Sequence, residues 1–218
     1  MNLPNYITLT RIFAVPVLIW VLSDGRFQTG HGGRELLASA IFIAASITDG
    51  IDGYLARRRG QITSMGMLLD PLADKLLIAA AFISLVQFNP RIVPAWVAVV
   101  IIGREFLVSG LRSIAASQGF TIEASDLGKF KMVVQIVVVV AAILEHRWQE
   151  WSAGTLFFPV SVVAKVGMWF MVTLSLVSAV DYFAAFWSKI DRQVARRQRR
   201  RSFVLSRRRK DHVLPTGL

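Results

Sequence analysis

Four carboxylates, Asp49, Asp52, Asp70 and Asp74, lie in one stretch of chain whose flanks, AIFIAAS before and LLIAAAFISLV after, are almost wholly apolar. The first two are three residues apart and the last two are four apart, so on helices each pair projects from a single face. Acids at the ends of strongly apolar segments are costly and mark function. Brought together, the four would repel one another and be driven toward protonation unless cations compensated them. Hard divalent ions prefer such oxygen ligands and bridge readily to phosphate. Gly50, Gly53, Ala56 and Gly66 strip side-chain bulk from the same region, and Arg57 adds a rigid fork of donors suited to phosphate. Ion pairing at a helix end and glycine-mediated packing would account for any one of these residues. They do not account for all four acids at once.

The elements that must position these groups are membrane helices. Of 218 residues, 54% are hydrophobic, and the mean hydropathy is +0.52, outside the range of an ordinary soluble domain of this length. Apolar runs at 7–22, 35–55, 71–88, 92–114, 127–144 and 158–187 predict an all-α integral membrane protein with six transmembrane helices. Asp70-Pro71 reads as an N-cap followed by proline at the first helical position, opening the third of them. Residues 23–33 and 115–126 read as loops, and 145–154, with Trp148 and Trp151, as an interfacial connection. No basic stretch precedes the first apolar run, so no cleaved leader is expected.

The formal charge of +11 is concentrated rather than spread, with 11 of the 25 basic residues between Lys189 and Lys210. This argues against a nucleic-acid-binding body. Residues 1–188 are expected to form the transmembrane domain and 189–218 a disordered basic tail attracted to anionic membrane lipid. Arg57, Arg58 and Arg59, the Lys129/Lys131 end and the tail fall on one side. The positive-inside rule makes that side cytoplasmic, with both termini and a cytoplasm-facing active site at the plasma (inner) membrane. There is no Cys, which removes disulfides and thiolate metal sites and leaves oxygen ligands.

Asp49, Asp52, Gly53, Ala56, Arg57, Gly66, Asp70 and Asp74 match the pattern D-x2-D-G-x2-A-R-x8-G-x3-D-x3-D at every specified position and spacing. In this the chain resembles the CDP-alcohol phosphotransferase family, whose six-helix architecture also agrees with the apolar runs. The resemblance implies that Asp49, Asp52, Asp70 and Asp74 face a pair of divalent ions, Mg²⁺ or Mn²⁺. It further implies that Asp52, Gly53, Ala56, Arg57 and Gly66 line the site of a CDP-linked donor, that Asp74 is the general base, and that the protein is a homodimer.

Residues 103–112 and 115–119, Leu127 to Lys131, Gln135, Ser178 and Asp181-Tyr182 resemble the phosphatidylglycerophosphate synthase branch. That implies CDP-diacylglycerol as donor, glycerol 3-phosphate as acceptor and CMP as leaving product. The residues point the same way, since Arg104, Arg112, Lys129 and Lys131 are expected to form a basic pocket for a phosphate-bearing acceptor. Their plainer roles are an Arg104–Glu105 pair and snorkelling lysines. Asn5, Thr8 and Arg11 resemble the family's N-terminal motif, and Arg11 serves equally as a phosphate contact or an interfacial anchor. Two alternatives stand beside this reading: the same fold with another acceptor, giving cardiolipin or phosphatidylinositol phosphate, or a cation transporter. The apolar outer halves of the second and third helices speak against transport.

Overall fold

The structure is a computed structural model that describes residues 3–27, 32–59, 64–119, 127–153 and 156–211. Within helices and strands, only the backbone is described for residues 3–7, 27, 49–59, 64–71, 127–129, 151–153, 156–157 and 191–211. Six helices carry the fold: α1 (Leu3–Ser23), α2 (Gly33–Arg59), α3 (Ser64–Phe88), α4 (Ala95–Ser117), α5 (Leu127–Glu145) and α6 (Val160–Asp211). The expected connection before α6 contains a small antiparallel hairpin, β1 (Trp151–Ala153) and β2 (Leu156–Phe158), with Trp151 opposite Phe158. The aromatic residues Trp151, Phe157 and Phe158 favour extended backbone.

Two helices depart from their expected bounds in ways that matter. α3 begins at Ser64, so Asp70-Pro71 lies inside a continuous helix and is not its N-cap. Met65, Met67, Leu68 and Leu69 are good helix formers, and they extend the helix ahead of the proline. Proline is tolerated within helices of membrane proteins because the freed carbonyl finds other partners. α6 runs without interruption from its apolar segment through the basic run to Asp211, where the sequence suggested disorder. No Gly or Pro interrupts residues 168–211, arginine favours helix, and the packed turns upstream supply the nucleus.

The chain forms two compact units, one of residues 1–107 and 124–177 and one of residues 108–123 and 178–218. In the first, α1 packs on both α2 and α3, and α5 packs on α2 and α3. Its core joins Leu18 and Val21 of α1, Phe42 of α2, Phe82 and Leu85 of α3, Ile101 of α4, Ile143 of α5 and Met171 of α6. The outward faces are apolar as well: Phe13 is 69% exposed, Val99 70% and Val166 62%. A helix apolar all round belongs in a bilayer or a large core. Among the described residues, one helix, Val160–Ile190, is by length and composition alone able to cross a membrane, and Thr8–Ser23 is a shorter apolar helix. In the second unit, Phe183 and Trp187 stack one turn apart on α6, with ring centroids 5.8 Å apart.

Contacts at one end set the helix directions within the first unit. Ser23, Arg34, Ser84, Gln87, Phe88 and His146 line a common cavity. Asn89 Nδ2 donates to the Ala142 carbonyl at 3.1 Å and to Glu145 Oε2 at 2.8 Å. The ends of α1, α3 and α5 therefore meet the start of α2. Asp49 lies 15 residues after Arg34, about 22 Å along α2, and Lys131 lies a similar distance before His146 along α5. The opposite end thus gathers the C-terminal end of α2 and the N-terminal ends of α3 and α5.

The α5–α6 contact is tight, since a Cβ on Gly167 would come within 2.7 Å of Val138 Cγ2. Valine cannot swing that methyl away freely. Gly167→Ala is expected to destabilise the protein by about 1–3 kcal/mol, read as a lower thermal-unfolding midpoint in detergent. Val138→Ala in the same chain should recover part of the loss.

Candidate active site

The backbone places Asp49 and Asp52 one turn apart near the C-terminal end of α2, and Asp70 and Asp74 one turn apart in the N-terminal half of α3. These helix ends are consecutive in the chain and lie at one end of the first unit. The side chains of Asp49, Asp52, Gly53, Ala56, Arg57, Gly66 and Asp70 lie outside the described residues, as do those of Asn5 and Lys129. Among the described residues no three His, Cys, Asp or Glu side chains form a metal-binding group. The donor set on α2 and α3 is entirely carboxylate oxygen, which suits Mg²⁺ or Mn²⁺.

Asp74 is half-buried and lies within electrostatic reach of Lys131 on α5. Lys131 is 5% exposed, and its Nζ donates to Glu105 Oε1. The same oxygen accepts from Arg104 Nη1 at 3.2 Å. Glu105 therefore links α4 to α5 and holds two cations beside the last acid of the motif. The expected basic pocket is in this part a compensated cluster, because two buried cations without an anion would repel and lose their hydration together. Sequence reasoning treated Glu105 only as a neighbour for Arg104. Its second partner lies 26 residues away and carries no local signal.

Thr8 and Arg11 of α1 are 1% and 2% exposed, three residues apart on the inward face. Burial this deep removes the interfacial-anchor role for Arg11 and leaves a contact within the first unit. Gln135, one turn beyond Lys131 on α5, is also buried, at 5% exposed. Arg112 belongs to the second unit, where its Nη2 donates to the Tyr182 hydroxyl at 2.9 Å and its guanidinium lies 5.5 Å from that ring's centroid. This pairing gives a physical reason for Tyr182 to accompany Arg112.

A family model for CDP-alcohol phosphatidyltransferases matches residues 1–180. The chain belongs to this family. It is 40% identical over 196 residues to a CDP-diacylglycerol–glycerol-3-phosphate 3-phosphatidyltransferase of Bacillus subtilis, covering 87% of this chain and 97% of that protein. It is 35% identical to the enzyme of the same name from Rickettsia bellii, over 84% of this chain and 94% of that one. A phosphatidylinositol phosphate synthase of Mycobacterium tuberculosis, solved with CDP-DAG bound, superposes with a TM-score of 0.61 at 17% identity, covering 85% of this chain and 87% of that one. The same mycobacterial enzyme, solved with manganese and citrate, gives a TM-score of 0.58 at 18% identity over 83% of this chain and 82% of that one. These two likenesses establish the shared helical fold.

If Glu105 joins Arg104 and Lys131 as one unit, the pair should not behave additively. Lys131→Met and Glu105→Gln are each expected to destabilise the protein. The double change should be less harmful than the sum by about 1–3 kcal/mol, measured as a double-mutant cycle of unfolding in detergent.

Proposed function

We propose that this chain transfers the phosphatidyl group of CDP-diacylglycerol to sn-glycerol 3-phosphate, giving phosphatidylglycerophosphate and CMP. The observation that carries the reading is the complete acidic motif on consecutive ends of α2 and α3, with its last acid, Asp74, within electrostatic reach of Lys131 on α5, in a chain that spans nearly the whole length of relatives bearing this activity in their names. A pair of divalent ions held by Asp49, Asp52, Asp70 and Asp74 would neutralise the diphosphate oxygens and the departing CMP.

The chain's own groups then divide the remaining work. Gly53, Ala56 and Gly66 leave room for the nucleotide to approach the helix backbones, and Arg57 with the Asp52 region holds it. Asp74 accepts the proton of the acceptor hydroxyl as its oxygen bonds to the phosphorus bearing diacylglycerol, and the bond from that phosphorus to CMP breaks. Lys131, tied to Glu105, lies within electrostatic reach of Asp74. Arg104, Arg112, Lys129 and Lys131 supply positive charge for the acceptor phosphate, and Arg11 with Thr8 and Asn5 supports the donor side from α1. In this reading six helices cross the inner membrane as a homodimer, both termini and the site face the cytoplasm, and the helical basic tail lies on anionic lipid.

Purified protein with Mg²⁺ or Mn²⁺ should release CMP from CDP-diacylglycerol only when glycerol 3-phosphate is supplied. Chelation should abolish release and added metal restore it. Phosphatidylglycerol or inositol phosphate working better as acceptor would redirect the reading to a cardiolipin or phosphatidylinositol phosphate synthase. Asp74→Asn is expected to lower kcat by about 10²–10⁴-fold. Arg112→Ala should mainly raise KM for glycerol 3-phosphate, and an unchanged KM would remove Arg112 from the acceptor site.

A further inference from the structure

The cavity at the far end of the first unit, opposite the acidic pairs, has chemistry that the transfer reaction does not use. Its volume is about 300 Å³, enough for a small polar headgroup and at the lower limit of ligand sites. Arg34, Ser84, Gln87, His146 and Ser23 supply its polar lining, and Leu22 and Phe88 its apolar part. Among the described residues no carboxylate contributes to the lining. Arg34 is nine-tenths buried at the side chain, with its Nη2 donating to Glu35 Oε1 at 3.3 Å and its guanidinium 4.6 Å from the Phe88 ring centroid. Its Nε is fully buried and has no hydrogen-bond partner among the described residues. A guanidinium offers five donors, and leaving buried ones unmade costs stability.

The surroundings hold this lining in place. Gly32, at φ 74, sits in the left-handed region with the Trp148 ring where a Cβ would be, so the start of α2 is locked against the turn after α5. Phe88 and His146 pack with ring centroids 4.1 Å apart, and the Asn89 bonds to Ala142 and Glu145 fix the end of α3 to α5. Four helix ends thus present a cationic fork, an amide, hydroxyls and an imidazole around one small space, beside a surface rich in exposed apolar side chains.

We propose that this cavity, built by Arg34, Ser84, Gln87 and His146, binds a phosphate oxyanion. Two sources share that chemistry, the headgroup of an anionic phospholipid and a free phosphate. Arg34, whose charge is shared with Glu35, provides guanidinium donors, and Gln87, Ser84 and His146 complete the oxygen contacts. Gln87 is exposed at the rim, which makes it the residue to change without disturbing packing.

The test uses the full chain in neutral detergent, with inorganic phosphate followed by calorimetry and phosphatidylglycerol followed by native mass spectrometry against diacylglycerol of the same chains. Gln87→Glu is expected to weaken binding by about tenfold through like-charge repulsion, and Gln87→Lys to strengthen it. Both should leave CMP release unchanged. Arg34→Gln combined with Glu35→Gln, which removes the ion pair without stranding either charge, should also weaken binding. Phosphate binding alone assigns a free-anion site, and binding of phosphatidylglycerol alone assigns a headgroup site. Binding of neither overturns the proposal, as does affinity unaltered by Gln87→Glu, since the anion would then be held elsewhere.

Discussion

An apolar body can hold ionised groups only where they compensate one another, and this constraint organises the first unit. Asp74, Lys131, Glu105 and Arg104 occupy one end, with Glu105 shared between two cations. Without Glu105, burying Arg104 and Lys131 together would cost several kcal/mol per ion. Without the cations, the Glu105 carboxylate would in turn be left partly buried and uncompensated. The structural pairing and the proposed chemistry therefore depend on the same charges.

Helix continuity does the positioning. Because α3 begins at Ser64 and passes through Asp70-Pro71, Asp70 and Asp74 stand on one face of an established helix instead of on a fraying first turn. α2 likewise continues past Asp52 to Arg59, so Gly53, Ala56 and Arg57 follow the acids at fixed angular steps. Side chains on helices embedded in a packed bundle keep their spacing far better than side chains on loops. Tight contacts such as Gly167 against Val138 keep the bundle itself from sliding.

The basic residues sort into two kinds. Arg104 and Lys131 are built into a compensated cluster, whereas exposed Arg112 keeps its guanidinium oriented by the Tyr182 hydroxyl and ring. Position along the chain could not separate these roles, because both kinds follow the acidic motif at similar distances.

The family and the helical class are legible in the chain alone, since an eight-position motif and long apolar runs are local patterns that survive any packing arrangement. The position of α5 is closely legible too, because its first residue follows a polar loop and its apolar run is unbroken. That Arg11 turns inward, that Glu105 meets Lys131, and that Arg34, Ser84, Gln87 and His146 line one cavity is visible only once the helices are packed. Each of those depends on which helix faces which, a long-range outcome of packing. The start of α3 differs from the local reading because proline is a strong local signal that a helix already nucleated by packed neighbours overrides.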